Sequence, residues 1–273
     1  MQIGISTSAF ACERIEDPER DLERFLAFWR RLRLESVQIE LPCVEGYSGE
    51  TSSFGRNLKR IRNRLRKEKI YTWTGSALDV SEWGAESDAD FGPRLQEAFR
   101  LIESGDPAGM TVLDVTGVPE SSSPEWDRFV GRYGKLVEHA ARCRVKLAAR
   151  CTAATFDRLR QQIPDPDANG LCLCLAACHK AGESAADVAA SVGDLVFHAH
   201  ASDVKSDGGE WQPALLGRGE VDAPRAVREL SRRSWLPVTV THCPVIAGLD
   251  NDQAPVAWGV AYLRGLLPSG ATR

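Results

Sequence analysis

Short apolar runs alternate with longer amphipathic stretches along this chain, and the alternation repeats eight times. Met1–Ser6 reads as a first strand. Asp17 then opens a helix with Pro18 just inside it, where a missing N–H costs nothing, and Leu22, Phe25, Leu26 and Trp29 recur at helical spacing. Ser36–Leu41 is a second strand, Asn57–Lys67 a very basic helix with a narrow stripe of Leu58, Ile61 and Leu65, and Lys69–Thr74 a β-branched and aromatic third strand. Phe91–Ile102 is a helix stopped by Gly105 and Pro107, and Met110–Val115 a fourth strand. Ser123 and Pro124 start a long helix to about Arg142. Val145–Ala149 is a fifth strand, followed by a helix near Thr155–Ile163. The last units are a sixth strand Leu171–Leu175 with a short helix Ala185–Ser191, a seventh strand Leu195–Ala199 with a helix Asp222–Arg232, and an eighth strand Val238–Val240 with a closing helix Pro255–Leu267.

Strand–helix alternation of this kind requires parallel strands joined by right-handed crossovers. Eight units in 273 residues suit a closed α/β barrel, the (β/α)8 TIM barrel, formed as a single domain over 1–273. An open doubly wound sheet is the rival arrangement, but it advertises a glycine-rich turn after its first strand, and here that turn reads STSAFACE.

Composition narrows the function classes. A hydrophobic content of 43% is enough for a core of that size, and a net charge of −4 gives no broad basic footprint for a polyanion, so nucleic acid is not an expected partner. No stretch approaches the roughly 18 uninterrupted apolar residues of a membrane span. MQIGISTSAF lacks the basic and apolar regions of a signal peptide. The expectation is a cytoplasmic protein with reduced thiols and no membrane association. The eight cysteines show no CxxC pair and are expected mostly in the core.

In a barrel of this type the working residues sit at the carboxyl ends of the strands and in the loops that follow. Those positions hold Glu40 after strand two, Asp79 after strand three, Asp114 and Thr116 at strand four, Arg150 and Cys151 at strand five, Cys178 and His179 after strand six, His198, His200 and Asp203 at strand seven, and Thr241, His242 and Cys243 at strand eight. Residues 198 and 200 lie on one side of a strand, where paired imidazoles can hold a metal or shuttle a proton, or simply be hydrogen-bonded pore residues. Arg150 is either an anchor for a phosphate or carboxylate or one half of a salt bridge. His139, beside Glu138 in a helix, reads as surface, and the Arg/Lys run from Arg56 to Lys69 as a solvated helix face. LLGRGEVD, after strand seven, reads as a flexible Gly-rich loop that could cover a ligand.

HAHASD, LLGRGEVDAPRAVREL, VQIEL and GLCLCLAACH resemble the HxHxxD strand, G-x-G-x-[VI]-D loop, "VEL" strand and D-x-x-H strand end of the xylose isomerase-like barrels, which include sugar-phosphate isomerases and epimerases and apurinic endonucleases. The resemblance covers nearly the whole chain. It implies one divalent ion held by a Glu after strand five, an Asp after strand six, a His on strand seven and a Glu on strand eight, with the glutamates also moving protons through a metal-stabilised enediolate. The corresponding positions here are Arg150, Ala176, His200 and Thr241 (His242 if the register slips by one), so His200 alone keeps its ligand type, while His179 and Asp203 are retained. A lone imidazole does not hold a hard dication, which wants several oxygen donors. The endonuclease branch is disfavoured, because its metal site is richer in His and Glu.

The leading expectation is therefore a sugar isomerase/epimerase-like protein with a degenerate metal site. It would bind a small polar or anionic, carbohydrate-like ligand through Glu40, Arg150, His198 and His242, with His179, His200 and Asp203 as the candidates for any catalytic role. Two alternatives stand beside it: an active isomerase, epimerase or lyase using His acid/base chemistry or a His/Cys metal site, and a non-catalytic scaffold. Whether the chain is an enzyme, which cofactor it takes, and whether it forms a homo-oligomer are left open by the sequence.

Overall fold

A computed structural model of the protein describes residues 1–7, 15–44, 53–104, 110–115, 118, 123–241 and 253–267. Of the residues singled out above, Gly105, Pro107, Thr116, His242 and Cys243 lie outside the described residues.

In chain order the elements are β1 (Gln2–Ser6), α1 (Pro18–Asp21), α2 (Glu23–Leu32), β2 (Ser36–Glu40), α3 (Ser53–Lys67), β3 (Thr72–Asp79), α4 (Asp88–Ser104), β4 (Met110–Asp114), α5 (Pro124–Cys143), β5 (Lys146–Arg150) and α6 (Ala153–Gln162). They continue with β6 (Asn169–Cys174), α7 (Leu175–Lys180), α8 (Ala185–Val192), β7 (Val196–Ala201), β8 (Asp203–Asp207), β9 (Glu210–Ala214), α9 (Ala223–Leu230), β10 (Pro237–Val240) and α10 (Gln253–Leu266). Eight strands close into a parallel barrel in the order β1-β10-β7-β6-β5-β4-β3-β2, and β8 and β9 form a separate antiparallel hairpin. The eighth strand expected from the sequence is thus β10.

Local chemistry fixes where the helices begin. Asp17, Ser123, Thr152, Ser184 and Asp222 each turn a side-chain oxygen to a backbone N–H of the first helical turn, which satisfies one of the donors every helix start leaves unpaired. Arg33 and Arg144 end α2 and α5 in the left-handed conformation. Between helices and strands lies the main core, to which α5 contributes Trp126, Phe129, Tyr133, Leu136, Val137 and Ala140, all buried. Burying each of the larger apolar side chains is worth about 1.5–3 kcal/mol. Tyr133 stays satisfied there by donating to Asn169 Oδ1 at 3.0 Å.

Four local expectations differ from the structure. The third strand runs five residues beyond Thr74, to Asp79, with a register shift between Ser76 and Leu78. The sixth strand stops at Cys174, one residue before its expected end, and Leu175 to Lys180 wind into a helical turn. The basic helix α3 is not simply solvated: Arg64 is nearly buried and ion-paired to Glu19, Glu23 and Glu68, while Arg60 meets Asp17 and Lys67 meets Glu19. Its cations lock it to α1 and α2. His139 is half-buried, stacked on Phe99 with centroids 4.0 Å apart.

Candidate functional site at the barrel mouth

The interior of this barrel is polar where many such barrels are filled with Val, Ile and Leu. Ser6, Gln38, Thr74, His198, His200, Thr239 and Thr241 are all at most 3% exposed, and all come from barrel strands or their ends. The apolar part of the interior is small. Val112, Ala148, Cys172 and Phe197 form a cluster separate from the main core. A register shift of β7 against β6 lets Phe197 join that plug while its neighbour His198 turns to the polar side.

His198 and His200 are joined to β2. Their Nε2 atoms lie 3.0 and 2.8 Å from the same atom, Gln38 Oε1. Strands β7 and β2 are not neighbours in the barrel, so this contact spans the lumen. Gln38 Nε2 donates to Glu40 Oε1 at 2.8 Å, and the Ser6 hydroxyl donates to the same oxygen at 2.6 Å. The two rings stand edge to face with centroids 5.1 Å apart. Burial without a compensating anion pushes the pKa of His198 down to about 3, so its ring is neutral at neutral pH.

Three of the residues picked from the sequence, Glu40, His198 and His200, therefore belong to one network. The residue that connects them, Gln38, was not singled out. Its signal is the alternation in VQIEL, where positions 38 and 40 share a strand face and both are polar.

Arg150, at the end of β5, is ion-paired and hydrogen-bonded to Asp114 at the end of β4. The salt-bridge alternative for Arg150 is thus the observed one. Facing Asp114, the guanidinium is held charged despite partial burial. Cys151, Cys172 and Cys178 are all buried, and burial raises all three thiols, that of Cys178 up to about 12. They are poor thiolate ligands in this setting. Ala176 is buried in the helical turn α7, and Thr241 is buried immediately after β10. Among the described residues no three His, Cys, Asp or Glu side chains come together in a way that could hold a metal ion.

His179 and Asp203 stand apart from the His198–Gln38–His200 network. Asp203 is 2% exposed, and its carboxylate accepts four backbone N–H groups: Val204 at 2.9 Å, Gly217 at 2.9 Å, Gly219 at 3.0 Å and Val221 at 3.1 Å. It gathers the Gly-rich loop after the β8–β9 hairpin into one conformation. Gly217 adopts a φ of +81°, which a side-chain-bearing residue disfavours, and a Cβ on Gly219 would fall 2.2 Å from Asp203 Oδ1. That loop is fixed rather than flexible. His179 sits 3.7 Å from Glu220 and edge-on to Trp211 of the hairpin, with centroids 5.2 Å apart. It lines a side cavity of about 380 Å³ together with Leu175, Glu183, Glu220, Asp222 and Arg225. The hairpin itself went unrecognised in the sequence. Its signal is the Gly208–Gly209 pair, both at positive φ, between two short runs.

With this geometry in view, the chain matches the sequence profile of the xylose isomerase-like TIM barrel family over residues 37–264. No curated protein sequence matches it. A xylose isomerase domain protein from Planctomyces limnophilus superposes with a TM-score of 0.73 at 18% identity, covering 97% of this chain and 96% of the other. A probable 3-DHS dehydratase from Bacillus anthracis gives 0.72 at 13% identity, with coverage of 97% and 99%. D-psicose 3-epimerase from Clostridium cellulolyticum H10, solved with D-tagatose, gives 0.70 at 11% identity, with coverage of 98% and 100%. At such identities the likeness speaks for the fold alone. No helix among the described residues is long and apolar enough to cross a membrane.

Proposed function

This chain belongs to the xylose isomerase-like TIM barrel family, and from that premise we propose that it binds a small, neutral, polyhydroxylated ligand of the sugar type at the carboxyl-terminal mouth of its barrel, without the hard divalent ion the family implies. The single observation that carries the proposal is the Arg150–Asp114 pair. A guanidinium occupies the strand end where a carboxylate ligand is expected from the resemblance, and the nearest acid is engaged in neutralising it. The paired guanidinium and carboxylate leave no net negative charge at that strand end, and the carboxylate that could serve a cation is already engaged. The remaining donors do not compensate, since the neighbouring thiols are held neutral by burial and Ala176 and Thr241 offer no anion. The described residues do not fit the metal.

The same pair argues for a neutral ligand. Arg150 has its counter-ion within the protein, so an anionic ligand would meet a pair that is already neutral. Hydroxyl groups suit the mouth better, given the neutral His198 ring and the hydrogen-bonding groups around Gln38.

The test is a thermal-shift screen of the purified protein against hexoses, pentoses, cyclitols and their phosphates, with and without Mn²⁺, alongside elemental analysis. Stabilisation by at least one unphosphorylated polyol that is indifferent to Mn²⁺ and survives EDTA is the expected result. Stoichiometric manganese or magnesium, or stabilisation by phosphorylated sugars alone, would overturn it. No response to any polyol would favour a scaffold role.

A further inference from the structure

The geometry points to Gln38 as a positioning residue that locks both lumen histidines into the Nε2–H tautomer, with Glu40 deciding which way its amide faces. This goes beyond ligand binding and holds whether or not the mouth is occupied.

Four hydrogen bonds fix the arrangement. A primary amide has one end that only donates and one that only accepts, and at 1% exposure Gln38 must satisfy both within the protein. Glu40 Oε1 already accepts the Ser6 hydroxyl at 2.6 Å, so it stands as an acceptor, and the amide nitrogen is the only end of Gln38 that can bond it at 2.8 Å. The amide oxygen is thereby committed to the opposite side, where it faces two imidazole nitrogens at 3.0 and 2.8 Å. An oxygen that can only accept requires a hydrogen on each of those nitrogens. Both rings therefore carry their proton on Nε2, and in neutral rings Nδ1 holds the lone pair.

A carbonyl oxygen has two lone pairs, which is what allows one glutamine to orient two rings. A glutamate at position 38 would do something different, because its charge would draw a second proton onto the imidazoles. An amide fixes orientation without placing a charge beside the rings. This suits a lumen whose rings are shielded from solvent, and it presents nitrogen acceptors rather than donors on the Nδ1 edges. Nothing among the described residues donates to Nδ1 of His198.

The experiment is a long-range ¹H–¹⁵N correlation spectrum of ¹⁵N-histidine-labelled protein at one fixed neutral pH, with the two rings assigned from His198→Asn and His200→Asn variants. Both rings should show the Nε2–H pattern. In Gln38→Met, which keeps volume but removes the acceptor, the ratio of Nε2–H to Nδ1–H forms should fall roughly five- to tenfold for at least one ring, the weight of about one hydrogen bond. An Nδ1–H ring or an imidazolium at either position in the unmodified protein would overturn the assignment, as would an unchanged ratio in a folded Gln38→Met. Should that variant not fold, Glu40→Met takes its place, since it removes the acceptor that holds the amide of residue 38 and so frees it to turn; tautomers as pure as in the parent would then count against the lock. The parent spectrum needs no ligand, so failure here is separable from failure of the sugar-binding proposal.

Discussion

Replacing Asp203 by asparagine is the sharpest test of how this mouth is built. The substitution changes volume very little, but it removes the charge and converts one of two accepting oxygens into a donating NH2. In the protein each oxygen serves two backbone amides: Oδ1 takes Val204 and Val221, and Oδ2 takes Gly217 and Gly219. An asparagine can satisfy one of these pairs. Whichever pair faces the NH2 loses its acceptor and meets a donor at about 3 Å in a site that water does not reach. Hydrogen bonds to a charged group are worth about 1.5–3 kcal/mol each, and bonds sharing one acceptor do not add fully, so a loss of about 3–5 kcal/mol is expected. For a urea slope near 3 kcal/mol/M this moves the unfolding midpoint down by about 1 to 1.7 M. Tryptophan fluorescence would follow the transition, and limited proteolysis would report whether residues 214–222 have become accessible. A midpoint within about 0.2 M of the parent, combined with a changed ligand response, would refute the reasoning, because the carboxylate would then be acting on a ligand and not on the loop.

His198 has a folded-state pKa near 3, well below the unfolded value near 6.5, so the unfolded chain binds a proton that the folded chain refuses. Stability should therefore be unaffected by this group above pH 6.5 and fall by up to about 1.4 kcal/mol per pH unit between 6.5 and 3; a His198→Asn variant whose pH–stability profile is as steep as the parent's would dismiss the account. Arg150→Met leaves the partly buried Asp114 without its counter-ion and should cost about 1–3 kcal/mol in urea unfolding, with Asp114→Asn added to it recovering part of the loss; two effects that merely add would mean the pair is not coupled. Gly170→Ala puts a methyl 2.3 Å from the Phe197 ring and should destabilise by at least about 1–3 kcal/mol, relieved when Phe197 is shortened to Leu; a parent-like melting temperature would show that the plug has room to spare.

The alternation of strand and helix, and most of the boundaries, are written locally. Asp17–Pro18, Ser123–Pro124 and Asp222 cap helices because their oxygens reach a backbone N–H only three residues away at most, a fact any sequence window contains. The barrel follows from that alternation because eight parallel strands must bury both faces. The strand ends are equally local, and so Glu40, Arg150, His198 and His200 could be selected before any fold was seen. Selection is where local information stops. Glu40 and His200 are 160 residues apart, and nothing in either segment says that one glutamine amide lies between them across a lumen; closure of the sheet decides that. Arg150 could be an anchor or half of an ion pair until β4 and β5 were set in register, with Asp114 opposite. Asp203 looks like a reactive acid by spacing, but four amides folded around it make it the post of a loop. Backbone preferences act over a few residues and can be read from the chain. Hydrogen-bond partners and desolvation depend on which distant segments share a buried volume, and only the tertiary structure supplies that.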